Sequence, residues 1–240
     1  MDSHRFTRRA SLLRFGGLVA SAAGIGAGAA EAGSGPAGVA SGAVSCVLSP
    51  EMTEGPYYIA DEALRRNITE GKPGTPLRLR LSVVDASTCR AIAGAAVDVW
   101  HCDAGGLYSG FIAASTGNGG PGPGGGRTDK QTFLRGVQRT NGKGVAVFAT
   151  IYPGWYRGRT VHVHVKVHVG GNVVHTGQLF FPEPLTDAVY RRSPYSKRTG
   201  RDTTNATDAI FRNGGSRSLL SLNRHGNGYV GSIVMGVHRT

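Results

Sequence analysis

The chain has 240 residues, of which 40% are apolar, so it is long enough for one substantial domain with a single hydrophobic core. Beyond the N-terminal segment it contains no apolar run long enough to span a bilayer. Lys and Arg outnumber Asp and Glu by 27 to 15, but they are spread along the chain and accompany no recognition helix or RNA-binding motif. The composition therefore gives no support to a membrane-spanning or nucleic-acid-binding protein and favours a globular domain with a basic surface.

The first 32 residues have the features of an export signal: a charged start, a weakly apolar middle and a run of small residues. Arg8 and Arg9 precede the apolar stretch and resemble the twin-arginine pair that directs folded proteins across a membrane. Residues 33–45 have small side chains, as is typical of a flexible linker. We therefore expect a signal peptide over 1–32, a flexible linker over 33–45, one ordered domain over 46–240, and a mature protein that is secreted or held in the cell envelope.

Three cysteines remain after the predicted signal: Cys46, Cys89 and Cys102. An exported protein meets an oxidising compartment, in which cysteines pair. We expect one disulfide and one free thiol, and the sequence leaves all three pairings open.

Alternation of apolar and polar residues indicates β-structure along most of the domain. In "PLRLRLSVVD" the apolar side chains recur at every second position from Leu77 to Val83, which predicts a strand with one buried face. Further strands are predicted at "AVDVWHCD", "TFLRGVQRT", "GVAVFATI", "RTVHVHVKVHV", "VVHTGQLFF" and "YVGSIVMGV". Helical periodicity is nearly absent, with a short helix predicted around "ATDAIF". The sequence predicts an all-β fold, an antiparallel β-sandwich with long connecting loops, with a barrel as the alternative.

Three histidines alternate along the predicted strand "GRTVHVHVKVHV". Residues two apart point to the same face of a strand, with Cβ atoms about 7 Å apart, so His162 and His164 are able to share one metal ion. His168 has the same parity but lies roughly 13 Å from His164 along the strand, too far to join them. Taken alone, the pair favours the polar face of a sheet over a metal site.

The preceding turn, "YPGWYRGRT", brings two tyrosines and two arginines close to the histidine pair. Phenolate is a hard anionic ligand that suits ferric iron, whereas zinc sites use imidazole, thiolate and carboxylate. Two histidines combined with tyrosines therefore indicate Fe(III) rather than zinc. Tyr152 and Tyr156 are the rival candidates for a ligand from this turn.

At this point the sequence resembles the intradiol ring-cleavage dioxygenases, whose second half carries Tyr followed closely by Arg-x-x-His-x-His. The matching residues here are Tyr156, Arg159, His162 and His164. Upstream, "GAAVDVWHCDAGGLYSG" is similar to the family's strand, turn and ligand tyrosine, which falls on Tyr108.

"TEGPYY" resembles the family's opening segment, and "HTGQLFFPE" places Gln178 where the family carries a glutamine beside the substrate. The similarity covers roughly residues 46–183 and is greatest to the exported branch of the family. Two departures, a short Tyr156-to-Arg159 connection and the lack of an N-terminal helical dimerisation region, leave the substrate and the oligomeric state open.

The resemblance implies a non-haem Fe(III) dioxygenase that uses O2 to cleave a catechol-type ring between its two hydroxyls and yields muconate-type diacids. It implies four metal ligands: Tyr108, Tyr156, His162 and His164. It further implies catalytic roles for Tyr156 as a proton acceptor, for Arg159 in stabilising negative charge and for Gln178 in orienting the substrate. A homo-oligomer is possible.

Three alternatives use the same residues differently. A secreted transthyretin-like β-sandwich could bind a ligand without catalysis, its histidines forming a polar face. A Zn or Cu site could occupy the histidine strand, although tyrosine is a poor zinc ligand. A polyanion-binding protein is suggested by the net charge alone.

Overall fold

The computed structural model describes residues 46–60, 62–115 and 126–239. The predicted signal peptide and linker therefore lie outside the described residues, as does most of the glycine-rich tract near residue 120. Among the described residues, no helix is both long and apolar enough to cross a bilayer.

The described chain contains eight strands, as predicted for an all-β fold. Their bounds are β1 (Pro76–Asp85), β2 (Ala96–Trp100), β3 (Arg135–Arg139), β4 (Val145–Ile151), β5 (His162–Val169), β6 (Asn172–Phe180), β7 (Ser221–His225) and β8 (Gly228–Val237). They form two four-stranded sheets, with strand orders β4-β1-β8-β7 and β3-β2-β5-β6. The predicted β-sandwich is confirmed.

The sandwich is antiparallel except at one place, where β1 and β8 pair in parallel. Strand β8 comes from the far end of the chain, so the hairpin logic that predicts antiparallel neighbours does not apply to it. β1 shows the predicted alternation: Leu77, Leu79, Leu81 and Val83 are buried and the residues between them are more exposed.

Strands β2 and β5 are buried on both faces, which distinguishes them from β1. In β5, residues 162 to 167 are all buried, and β2 is buried from Val97 to Trp100. Their valines point into the sandwich core, while the alternate side chains, Asp98, Trp100, His162, His164 and Lys166, face the opposite side. Because that side carries so many polar groups, its burial requires partners from other segments.

A segment before β1 supplies part of this cover; we call residues 51–59 the strap. The Met52 amide donates to the Thr176 carbonyl at 2.9 Å, and the Tyr57 carbonyl accepts from the Arg135 guanidinium at 2.6 Å. The strap therefore crosses the outer face of the second sheet from β6 towards β3.

Helix is scarce, as predicted, but two of the three described helices were not predicted. The described helices are α1 (Ile112–Ser115), α2 (Glu183–Tyr190) and α3 (Ala209–Arg212), with 3₁₀ turns at Tyr195–Lys197 and Gly215–Ser218. α3 corresponds to the helix predicted around "ATDAIF". The sequence did not predict α1 and α2, because α1 has four residues and α2 has eight with a proline in its first turn, which makes their periodicity too short to detect.

Cys46 and Cys89 form the disulfide, with Cα atoms 5.3 Å apart, and Cys102 is the free, buried thiol. Burial raises the pKa of the Cys102 thiol, so it stays protonated, and it donates to the Gly154 carbonyl at 3.3 Å.

Candidate metal centre

His162 and His164 lie side by side on the strap-facing side of β5. Their Nε2 atoms are 3.0 Å apart. The Nδ1 atom of His162 is 2.7 Å from the Thr160 carbonyl oxygen, which can only accept, so Nδ1 carries the proton. The lone pair of His162 Nε2 is therefore left free, the arrangement found in metal-binding histidines.

Both imidazoles are held in the form that binds metals. Burial lowers the pKa of His162 and of His164 well below the ordinary value, and the charge of Arg159 acts in the same direction. Neutral imidazole is the ligand form, since a protonated ring has no lone pair to offer.

Tyr156 is the tyrosine that the turn brings to this pair. Its hydroxyl lies 3.1 Å from His162 Nε2, and its ring packs edge-on against the imidazole of His162. Tyr152, the rival, instead lies in the sandwich core: its hydroxyl bonds to the Thr186 hydroxyl at 2.7 Å and its ring packs on Phe181.

Tyr108 reaches the same cluster from the loop after β2. Its ring lies 5.7 Å from that of Tyr156 and 6.1 Å from that of His164, centroid to centroid. The side chain is fully buried, and its hydroxyl has no hydrogen-bond partner among the described residues. An unpaired buried hydroxyl is costly, so it marks a place where a further group is expected.

The donor set fits a ferric ion. Burial raises the pKa of both tyrosines. The neighbouring Tyr156 phenol raises the pKa of Tyr108 further, and the charge of Arg159 opposes the rise in both. A strongly charged cation would offset this burial and favour phenolates. Among the described residues there is no cluster of three or more His, Cys, Asp or Glu side chains suited to a metal, so the two tyrosines are needed to complete a ligand set here.

Aromatic rings enclose the cluster. The Trp100 indole stacks on His164, with ring centroids 4.9 Å apart and planes 6° from parallel. Tyr57 of the strap stacks on Tyr108 at 4.3 Å. Trp155, the other tryptophan, packs under the Arg198 guanidinium instead.

Arg159 and Gln178 are brought together beside the cluster. The Arg159 Nη2 donates to the Gln178 Oε1, and the Gln178 Nε2 donates to the strap at the Thr53 carbonyl, 3.0 Å away. The Arg159 Nε donates to Asp208 at 2.9 Å. Asp208 lies far along the tail and carried no motif, so the sequence did not point to it.

A buried arginine on β3 supports the Tyr108 loop. Arg135 has no exposed surface, and its Nη2 donates to the Ser109 carbonyl at 2.7 Å. Its Nη1 donates to the Tyr57 carbonyl. Burial lowers the pKa of Arg135 to about 10, so it remains charged at neutral pH. It thus ties the strap to the residue that follows Tyr108.

Glu54, Asp98 and Asp103 have different neighbours in the fold. Lys166 pairs with Glu54 of the strap and faces Asp98 across the β2–β5 ladder. Burial raises the pKa of Asp98 to about 7, despite a hydrogen bond from Tyr58. Asp103 lies elsewhere, pairing with Lys72 at 2.9 Å.

Comparison with known proteins gives no matching family model and no matching curated protein. Solved structures do match. The chain is similar to an intradiol ring-cleavage dioxygenase from Tetranychus urticae, with 36% sequence identity and a TM-score of 0.75, covering 80% of this chain and 95% of that one. It is also similar to the dioxygenase domain of a carbohydrate-binding fusion protein from Streptomyces sp. SirexAA-E, with 29% identity and a TM-score of 0.58, over 80% and 99% of the two chains.

A 3-chlorocatechol 1,2-dioxygenase from Rhodococcus opacus 1CP shares the fold at 23% identity and a TM-score of 0.56, over 84% of this chain and 78% of that one. The Tetranychus match extends over nearly the whole of that protein at more than a third identity. Because of that match, the chain belongs to the intradiol ring-cleavage dioxygenases and is an enzyme of that family.

Proposed function

We propose that this enzyme cleaves catechol-type compounds between their two hydroxyl groups, with O2 as co-substrate and Fe(III) as cofactor. The observation that carries the proposal is the convergence of His162 Nε2, His164 Nε2 and the Tyr156 hydroxyl, each about 3 Å from the next, beside the unpaired Tyr108 hydroxyl. These four side chains would hold the metal.

The bound Fe(III) would supply a Lewis acid that lowers the pKa of the substrate hydroxyls and activates the catechol ring towards O2. The chain's own residues would bind and orient the substrate around it. Tyr156, held as a phenolate by the metal, would accept a substrate proton, since its oxygen lies at the cluster, 3.1 Å from His162 Nε2.

Arg159 would stabilise the negative charge that develops on the substrate. This role is supported by its charge, which lowers the pKa of Tyr156 against the larger, opposite effect of burial. Gln178, held between Arg159 and the strap, would orient the guanidinium and the substrate. The strap and its aromatic rings would exclude water.

The overall reaction balances without a further reductant. One catechol and one O2 give one muconate-type diacid, and each new carboxyl group contains one oxygen from O2. The substrate is proposed as a class, the catechol-type compounds.

The test is oxygen uptake by the iron-loaded protein over a panel of catechol, hydroxyquinol and protocatechuate, with product spectra to separate cleavage between the hydroxyls from cleavage beside them. Wild type should show the visible absorption of phenolate bound to Fe(III). Tyr108→Phe should lose that absorption and iron, whereas Tyr152→Phe, its control, should keep both. A colourless, zinc-loaded wild type that consumes no O2 would reject the proposal and favour a zinc site or a binding module.

We also propose that the enzyme is exported by the twin-arginine pathway and acts in the envelope or outside the cell. The Cys46–Cys89 disulfide supports an oxidising compartment. Replacing Arg8 and Arg9 with lysines should leave precursor in the cytoplasm, as measured by cell fractionation. Unchanged export of that variant would contradict the twin-arginine route.

A further inference from the structure

Four hydrogen-bond donors converge on the carboxyl group of Asp208. Its Oδ1 accepts from the Ile210 amide at 2.7 Å and from the Phe211 amide at 3.0 Å, so it caps α3. Its Oδ2 accepts from the Arg159 Nε at 2.9 Å and from the Thr160 amide at 2.8 Å. Only an ionised carboxylate accepts at both oxygens in this way, because an amide would present a donor to one of the two pairs.

From this geometry we infer that Asp208 is a positioning residue for the proposed catalytic arginine, Arg159. The inference rests on the proposed function, because it assigns Asp208 a role only through the guanidinium that acts on the substrate. Asp208 itself stays 1% exposed and makes its contacts to protein groups.

The two oxygens of Asp208 connect the tail of the molecule to the turn before β5. Arg159 is 49 residues away along the chain, and its long side chain has several rotatable bonds whose freedom must be removed before it can act at a fixed point. Asp208 fixes Nε and Gln178 fixes Nη2. Within the described chain, Nη1 makes no hydrogen bond, so its two N–H groups remain available to a substrate.

The same carboxylate oxygen supports the start of β5. The Thr160 amide donates a hydrogen bond to Asp208, and the Thr160 carbonyl accepts one from His162 Nδ1. Asp208 thus holds Arg159 and the His162 ligand in one frame. Burial opposes ionisation of Asp208, but the Phe211 amide and the Arg159 charge outweigh it and hold its pKa below the ordinary value.

Capping of α3 and orientation of Arg159 can be separated by substitution. Asp208→Ser retains a hydroxyl that caps a helix well, but its shorter side chain presents no second acceptor for Arg159. Asp208→Glu restores the carboxylate with one additional methylene. Asp202→Asn is the matched control, because Asp202 joins the same tail to the same turn, accepting from the Gly158 amide at 3.2 Å, without a bond to Arg159.

The experiment compares these variants with Arg159→Ala and the Arg159→Ala/Asp208→Ser double variant in the full, iron-loaded chain. The readouts are kcat and KM with catechol, iron content, visible absorption, and the affinity for 4-nitrocatechol by spectral titration. Asp208→Ser should keep its iron and visible absorption, lose roughly 10- to 100-fold in kcat/KM, and bind 4-nitrocatechol as weakly as Arg159→Ala does. Asp208→Glu should recover part of this loss, and Asp202→Asn should behave as wild type.

The double variant decides between positioning and a general effect on folding. If Asp208 acts through Arg159, removing both costs no more than removing Arg159 alone. Additive losses, or wild-type kinetics and 4-nitrocatechol affinity in Asp208→Ser, would overturn the inference. Full activity in Arg159→Ala would instead remove Arg159 from the proposed mechanism, and that outcome is distinct from a failure of Asp208 alone.

Discussion

Gly55 packs its backbone against the imidazole of His164, a proposed ligand. A Cβ atom at position 55 would lie 3.1 Å from His164 Cε1, and its φ of +76° is one that side chains rarely adopt. His164 cannot easily move away, because Trp100 stacks on its ring. The strap therefore needs glycine at this point in order to cross the cluster.

Gly55→Ala should shift the visible absorption of the iron-loaded protein and weaken iron binding on the order of tenfold, as changes next to metal-binding histidines do. Gly71→Ala is the control: its φ is +74°, but nothing lies within 4 Å of the point that a Cβ atom would occupy there. Both variants carry a similar conformational cost, about 1 kcal/mol. Identical spectra and iron affinities in the two would show that contact with His164 is unimportant.

Asp98 makes a pH-dependent contribution whose sign follows from its raised pKa. The folded value is about 7 and the ordinary value is 3.8, so between these pH values the folded state binds the proton more tightly than the unfolded state. Its contribution is present at low pH and is lost as the pH rises towards 7. The Asp98→Asn variant cannot ionise and does not undergo this loss.

The free energy of unfolding of Asp98→Asn minus that of wild type should therefore increase from pH 4 to pH 7, by up to about 4 kcal/mol, and then level off. Urea titrations at a series of pH values measure this difference, in which the other titrating groups cancel. A difference that stays constant with pH would mean that Asp98 ionises in the fold as readily as in water.

Among elements, the strap and the Tyr108 loop are joined through Arg135, which donates to the Tyr57 and Ser109 carbonyls. Arg135→Met fills similar space but leaves both carbonyls without that donor. We expect a loss of roughly 3 kcal/mol in the free energy of unfolding, because a buried charged donor is removed from its partners.

Arg139→Met on the same strand is the control, since Arg139 is exposed and makes one hydrogen bond, to the Gly94 carbonyl at 3.3 Å. It should change the free energy of unfolding by less than about 0.5 kcal/mol. Equal urea midpoints for the two variants would mean that Arg135 does not hold the two segments together.

The sequence predicted the strands and the histidine pair because both depend on local pattern, whereas Tyr108 was identified only through the family resemblance. The alternation from Leu77 to Val83 and the spacing of His162 and His164 are periodic features, and Tyr156 is near them along the chain. Asp208 could not be predicted in this way, because its partner is 49 residues distant and α3 contains four residues. The burial of Lys166 was equally hidden, since it depends on Glu54 and on the strap crossing β5.

The parallel pairing of β1 with β8 was not predicted for the same reason, because the two strands are far apart along the chain. Nothing in either strand specifies its neighbour, whereas a short turn such as Gly170-Gly171 between β5 and β6 fixes an antiparallel pair directly. Elements joined by tight turns were therefore predictable, and contacts between distant segments were not.

At the scale of the whole molecule, the Cys46–Cys89 disulfide ties the segment leading into the strap to the turn between β1 and β2. The two cysteines are 43 residues apart in sequence. Linking them restricts the unfolded chain, which by loop-closure entropy stabilises the fold by about 4 kcal/mol. The disulfide thus compensates for part of the cost of ordering a strap that has no secondary structure of its own.

The Cys46→Ala/Cys89→Ala variant should unfold at a lower urea concentration, with a free energy of unfolding reduced by about 2 to 4 kcal/mol, while keeping iron once folded, because neither cysteine touches the cluster. Its control is reductant: dithiothreitol should lower the stability of wild type to that of the variant and leave the variant unchanged. Because the strap begins close to Cys46, removing the disulfide should raise the amide hydrogen-exchange rate of the strap before it raises that of β5. Uniform exchange with unaltered stability would show that the strap is held by its sheet contacts alone.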